Sequence, residues 1–355
     1  MSKITHEGGN EMKKVISLVL AILLCAGMFA ACSKPAEQPK AEGTASSDSA
    51  AKSEAPQEAP KQETASQDTG KKYKFGYTCM TMNNPFFITL EKSIREEVEK
   101  NGHTLITLDP QLDVQKQIAQ VEDMIAQKVD LIFLNPVDWK GVKPALDAAK
   151  KAGIPIVNFD AQVFDEDLVD SIVVSDNFNA GKVCGEDLAK RMPDGGKIAI
   201  IDSPTMKSVI DRIDGFFAGL GDKKDKFKVV AQQDGKGQLE VSMPIAEAIL
   251  QANPDVQAFM GGNDPTALGI IAALKTANKK GILVYGVDGA PEAKAAIKDG
   301  DMTGSGAQSP INIGKESYKV AIKILQGEQF EKFIPVKTEL ITKENVDQFG
   351  IDGWQ

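Results

Sequence analysis

From Tyr73 onward the chain alternates short apolar runs with stretches in which apolar residues recur every three or four positions. The runs YKFGYTC (73–79), HTLITLD (103–109), VDLIFLN (129–135), IPIVNFD (154–160) and SIVVSD (171–176) predict β-strands. So do KIAIID (197–202), FKVVAQQ (227–233), VQAFMGG (256–262), ILVYGVD (282–288) and MTGSGAQ (302–308). The intervening segments 86–102 and 114–129 predict amphipathic helices. In the first, Leu90, Ile94 and Val98 fall on one stripe and Gly102 is a natural stop. Strands followed by helices of this length give parallel sheets with right-handed crossovers. The units are too many for one ordinary sheet, so the pattern predicts an α/β protein with two doubly wound parallel-sheet lobes. A single barrel of eight units is the alternative.

The first seventy positions break this pattern. Met12-Lys13-Lys14 is basic, Val15 to Leu24 is apolar apart from Ser17, and small residues lead to Phe29-Ala30-Ala31-Cys32-Ser33. The apolar run is shorter than the ~20 residues that a membrane-crossing helix needs. This order resembles a bacterial lipoprotein signal peptide, with Phe29 where the lipobox usually has Leu. A plain secretory signal or an N-terminal membrane anchor is the alternative. Residues 1–31 are thus the expected signal peptide, starting at Met12, and Cys32 the expected lipidated residue. Ser33 to Gly70 contains no Val, Ile, Leu, Met, Phe, Tyr or Trp, so it has no apolar surface with which to offset the entropy of ordering. Residues 32–71 are expected to be a lipid-anchored flexible linker with a reach of roughly 35 Å. It would hold a globular body at the extracytoplasmic face of the cell membrane.

Composition narrows the chemistry. The 355 residues suit about two domains. A net charge of −9 argues against nucleic acid as a partner, because that binding rests on phosphate neutralisation by Lys and Arg. The only histidines, His6 and His103, leave little room for His-based triads or zinc sites. Cys79 and Cys184, in an apparent strand and an apparent helix, are expected to be free buried thiols. Gly304-Ser305-Gly306-Ala307-Gln308-Ser309 lacks the third glycine of a dinucleotide fingerprint, and no cofactor is expected.

Polar residues instead gather where strands end, the edge at which open α/β sheets bind ligands. Thr81-Met82-Asn83-Asn84-Pro85-Phe86-Phe87 follows the first strand. Asp160, Asn263-Asp264, Asp288-Gly289 and Gln308 close later ones. Carboxylates and amides bind vicinal hydroxyls and aromatic faces cover a sugar's C–H side, so the set suits a polyol that is held rather than transformed. Each residue also has a purely structural explanation: strand-end Asp or Asn caps helices, and Asn84-Pro85 reads as a helix start. Phe86 and Phe87 are adjacent, so at least one is expected to be exposed toward the strand-end crevice. Trp139, after VDLIFLNP, is either a stacking residue or a rim residue.

Several anchors occur in a fixed order: Asn83-Asn84-Pro85-Phe86-Phe87, Ile154-Pro155 with Asp160, Ser175-Asp176-Asn177, and Arg212-x-x-Gly215-Phe216. Pro254-Asp255-Val256-Gln257-Ala258, Asn263-Asp264 with Ala267-Leu268-Gly269, and Val287-Asp288-Gly289-x-Pro291 follow. Over about 72–340 the chain resembles the ribose-binding protein family, the type I periplasmic sugar-binding lipoproteins of ABC transporters. The resemblance implies two lobes joined by three hinge crossovers: 72–174 plus 309–337, and 175–308 plus 338–355. By position in the family, Asn84, Phe86, Phe87, Asp160, Arg212, Asn263, Asp288 and Gln308 match ligand-binding residues. Met80 stands where ribose binders carry Ser, Ala161 where they carry Arg, and Gly237 where an aromatic covers the ring. With Trp139, these are possible rim residues. A larger or substituted sugar is therefore expected in preference to free D-ribose.

The implied protein is a monomer and not an enzyme. It takes a monosaccharide or related small polar ligand, passes it to ABC permease subunits, and meets the membrane through its lipid. A receptor for a non-sugar polyol or furanone-like signal is the alternative, and a glycoside-processing enzyme using paired carboxylates a weaker one.

Overall fold

The computed structural model describes residues 70–350 and 352–355. The expected signal segment, Cys32 and nearly all of the expected linker lie outside the described residues. Every apolar run named above contains a strand: β1 (Lys74–Thr78), β2 (Thr104–Leu108), β3 (Leu131–Leu134), β4 (Ile156–Phe159) and β5 (Ser171–Ser175). β6 (Gly196–Asp202), β7 (Phe227–Asp234), β8 (Ala258–Gly261), β9 (Leu283–Asp288) and β10 (Gly304–Ala307) follow. The helices are α1 (Pro85–Lys100), α2 (Val114–Ala126), α3 (Lys143–Ala152), α4 (Asn177–Arg191), α5 (Lys207–Gly219), α6 (Leu239–Ala252), α7 (Asp264–Thr276), α8 (Pro291–Asp299) and α9 (Pro310–Gln326). Two further strands, β11 (Phe333–Val336) and β12 (Glu339–Thr342), were not expected from the apolar pattern.

The strands form two six-stranded sheets, ordered β2-β1-β3-β4-β5-β11 and β7-β6-β8-β9-β10-β12. Both are doubly wound, and β1, β3 and β4 are buried along nearly their whole length, as strands covered on both faces must be. The second sheet departs from the purely parallel expectation, because β12 runs antiparallel to β10. Only Lys337 and Thr338 separate β11 from β12, and Glu339 pairs with Ala307 at the carboxyl end of β10. A strand entering at that end has to run back along its neighbour, since a parallel entry needs a long crossover.

The chain passes from the first sheet to the second after β5, returns between β10 and α9, and crosses again between β11 and β12. All three passages leave from the carboxyl ends of strands, so the strand ends of the two sheets are brought toward each other.

Local sequence explains the helix starts at that edge. Asn84 Oδ1 accepts from Phe86 N–H at 3.0 Å and Pro85 fills the first turn of α1, while Leu90, Ile94 and Val98 are fully buried. Asn263 Oδ1 caps α7 through Thr266 N–H at 3.0 Å, with Pro265 next. Helices α4 and α5 meet backbone to backbone. A Cβ on Gly181 would lie 1.7 Å from Arg212 O, and one on Gly215 1.9 Å from Phe178 O. Cys79 lies just beyond β1 and Cys184 within α4; both are free and buried, and burial pushes both thiols well above their usual pKa.

Candidate ligand-binding site

The strand ends enclose a small cavity of about 30 Å³ between the sheets. From the first sheet it is lined by Met80, Asn84, Phe86, Phe87 and Asp160. From the second come Ser203, Met206, Ser208, Val209, Arg212, Gly237, Asn263 and Asp288, and Gln308 lies on a crossover. All eight residues matched to ligand-binding positions thus converge, with Met80 and Gly237 beside them. Ala161 and Trp139 do not line it. Ala161 is fully buried behind Asp160, its carbonyl accepting from Asn158 Nδ2 at 2.8 Å. Trp139 sits edge-on to Phe164 at 5.3 Å, and its N–H donates across the cleft to Thr205 O at 3.1 Å.

The expectation that Phe86 or Phe87 stays exposed does not hold. They are 2% and 3% exposed, perpendicular to each other with centroids 5.4 Å apart. The second lobe covers the crevice, and Trp354 packs edge-on against Phe86 at 5.7 Å. The rings face the cavity rather than solvent.

Polar contacts tie the site into one network. Asp160 has φ 61, an uncommon backbone for a non-glycine residue. Its Oδ2 accepts from Asn135 Nδ2 at 3.1 Å, while its Oδ1 has no hydrogen-bond partner within the protein. Asn177 donates to Asp160 O at 3.4 Å and accepts from Arg212 Nε at 2.8 Å. Arg212 Nη1 donates to Gly262 O at 2.9 Å and stands 3.8 Å from Asp288 Oδ1. Gln308 Nε2 donates to that same oxygen at 2.8 Å, leaving Gln308 Oε1 buried and unpartnered. Behind Asp288, the fully buried Asp264 accepts from Ser305 Oγ at 2.7 Å and Ala290 N–H at 2.8 Å.

Burial dominates the electrostatics. It raises Asp160 from 3.8 to about 6, against the opposing pull of Arg212 and the Asn135 hydrogen bond. Asp288 is raised further by burial and by neighbouring Asp264, which Arg212 only partly offsets. Three buried carboxyls share one guanidinium, so the cavity is rich in acceptors.

Several contributors carried no expectation from the sequence: Ser203, Met206, Ser208 and Val209 of the cavity wall, Asn135, and the segment Gly353–Gln355. Asn135 closes β3 just as Asp160 closes β4; the same signal, a polar residue ending an apolar run, marks it. The segment Gly353–Gln355 carries no such signal. Gln355 Nε2 donates to Asp288 O at 3.0 Å and also to Gln308 O, Ser309 Oγ donates to Gln355 O at 2.5 Å, and the buried Lys294 holds Gly353 O at 2.5 Å.

Among the described residues no group of three His, Cys, Asp or Glu is placed to hold a metal. The arrangement offers fixed hydroxyl partners and two aromatic faces. Asp288→Ala is expected to weaken sugar binding roughly 10–150-fold, since a hydrogen bond to a charged group contributes about 1.5–3 kcal/mol. Unchanged affinity by calorimetry in the folded variant would remove Asp288 from the site.

Two doubly wound lobes closing on a polar cavity at their crossovers define a type I periplasmic sugar-binding fold. Residues 75–329 match the model of the periplasmic binding protein domain. The chain is 34% identical over 282 residues to the ribose import binding protein RbsB of Salmonella typhimurium, covering 79% of this chain and 94% of that one. It is 32% identical over 334 residues to the RbsB of Bacillus subtilis, covering 94% and 100%. The crystal structure of an ABC transporter solute-binding protein from Mycobacterium smegmatis with bound glycerol superposes with a TM-score of 0.75 at 31% identity, covering 79% and 97%. The chain belongs to the periplasmic binding protein family.

Proposed function

We propose that this protein is an extracytoplasmic lipoprotein that captures a sugar between its lobes and hands it unchanged to an ABC importer. One observation carries the binding part: Asp160 Oδ1 and Gln308 Oε1 are buried acceptors without protein partners, on residues that line one cavity with Phe86, Phe87, Arg212 and Asp288. A buried unsatisfied acceptor costs about 1–3 kcal/mol, and ligand hydroxyl groups supply the missing donors. The relatives named for ribose import support binding without chemistry. The test is calorimetry against pentoses, hexoses and polyols, with the recovered ligand checked for chemical change. Saturable 1:1 binding with the sugar returned intact is expected; no binding across the panel, or a converted sugar, overturns the reading.

Lipid anchoring rests on Cys32 alone. In a Cys32→Ser variant the protein is expected to leave the membrane fraction, while retention there together with a wild-type protein that is mostly unprocessed would reject Cys32 as the anchor. The attached lipid carries more than one chain, enough for stable anchoring.

The raised Asp160 carboxyl gives a pH signature. Ligand hydroxyls donate to the ionised form, so below about pH 6 the free protein must first lose a proton. Affinity is expected to fall as pH drops, by about tenfold between pH 7 and pH 5, with Asp288 acting in the same direction. Asp160→Asn, titrated over the same range, should show a shallower slope.

A further inference from the structure

Beside the candidate site lies a second and larger cavity of about 220 Å³. It adjoins the first, and Asn84, Gly237 and Asp288 line both. Gly237, at φ 66, has no side chain with which to part the two spaces. The walls of the second cavity differ in kind from those of the first. Pro85 closes it from the first lobe, Leu239, Pro265 and Leu268 from the second, and the Trp354 indole forms one side. The charged groups lining it are acidic, Glu240 and Glu292 beside Asp288, and Glu240 Oε1 accepts from Asn83 Nδ2 at 3.4 Å across the cleft.

We propose that this cavity is a subsite for the aglycone of a neutral glycoside, whose sugar ring occupies the polar site. The inference rests on the sugar-binding reading above and names the ligand class within it. The wall shared at Asn84, Gly237 and Asp288 puts the second space within reach of a substituent on a bound sugar. The apolar side of the space, made by Leu239, Pro265, Leu268 and Trp354, recognises a hydrocarbon or aromatic group, whereas a second sugar would press part of its hydroxyl surface against it. An indole face suits an aryl ring. An apolar cavity of about 150 Å³ accommodates benzene, so the second space takes an aryl group as it stands, whereas the polar cavity of about 30 Å³ has to widen between the lobes to admit the sugar ring. Glu240 and Glu292 disfavour an anionic aglycone. Gly237 keeps the boundary between the two spaces free of a side chain, which fits a ligand that reaches from one into the other.

The experiment is calorimetry of the full chain with free D-ribose, D-allose, D-galactose and D-glucose and with their methyl and phenyl glycosides, both anomers. For the sugar that binds, the phenyl glycoside is expected to bind about 10–100-fold tighter than the methyl glycoside, from the apolar area buried. Leu268→Trp, which fills the second cavity from α7, and Trp354→Ala, which removes its aromatic side, should each bring that ratio toward one. Using the ratio within each variant separates this effect from any general loss of affinity. A phenyl glycoside no tighter than the methyl glycoside, or a ratio unchanged in both variants, overturns the subsite and leaves the sugar site standing. A disaccharide that gains as much as the phenyl glycoside overturns the apolar assignment. Failure of every free sugar and glycoside to bind removes the sugar reading and the subsite together.

Discussion

Arg212→Ala is expected to abolish measurable sugar binding and to lower folding stability by about 3–5 kcal/mol, the usual cost of removing one partner of a buried ion pair. Arg212 is 3% exposed and its guanidinium joins three separate elements: Asn177 at the start of α4, Gly262 after β8 and Asp288 at the end of β9. It is also the positive charge that offsets the burial of Asp160, Asp264 and Asp288. Its removal leaves three carboxyls in one dry region. Protonation of Asp288 will limit the loss of stability, but a protonated Asp288 is a poorer acceptor for hydroxyls. Arg212→Lys keeps the charge and loses the planar fork, so it should restore much of the stability and little of the binding. Calorimetry with urea unfolding separates the two effects. Near-normal affinity in either variant would show that Arg212 is not in the site.

Gly181→Ala should cost about 3 kcal/mol or more, at the top of the range for overpacking, although it adds a single methyl group far from the cavity surface. The new Cβ falls 1.7 Å from the main-chain carbonyl of Arg212, which cannot rotate out of the way. Helices α4 and α5 must separate, and α5 carries Arg212. With about 2–4 °C of melting temperature per kcal/mol for a protein of this size, the midpoint should fall by roughly 6–12 °C. Sugar affinity should fall with it, since the guanidinium moves with its helix. A variant that melts within a degree of the parent would mean the helices do not meet so closely. The same substitution at Gly153, whose Cβ would meet nothing within 4 Å, serves as a comparison for the cost of a positive φ alone.

Most of the first ten strands were legible because each is a run of apolar residues ended by a polar one, and runs of that kind need no distant partner to be recognised; β10, Gly-Ser-Gly-Ala, is the weakest of them. β11 and β12 were not. FIPV and ELIT are short and largely exposed or half-buried, and they exist as strands because β5 and β10 present edges for them to pair with. The polar residues of the cavity were readable by their place at strand ends, and Arg212 only through the motif around it. Asn135 carried the same signal as Asp160 and was overlooked. Trp354 and Gln355 could not be found locally: their partners Phe86, Asp288 and Gln308 lie far back in the chain, and nothing in Asp352-Gly353-Trp354-Gln355 announces them. The expectation for Phe86 and Phe87 failed for a related reason. Helical geometry turns only one of two neighbours toward its own sheet, but a second sheet arrives to cover the other.

The three passages between the sheets have a consequence for how the polypeptide is made. The first sheet ends with β11 and is packed by α9, both of which lie after the whole of β6 to β10. A growing chain that has released only its first half therefore has neither the edge strand nor the helix that completes its earlier lobe. Multidomain chains ordinarily fold their leading domain while the rest is still being synthesised; here that order is blocked by topology. Neither lobe is complete until residues 333–342 have emerged, and the pairings that close them span long sequence separations, a feature of slow folding. Cutting the gene after β5 would not yield two half-proteins, because the first part would lack β11 and α9, which the second part would carry.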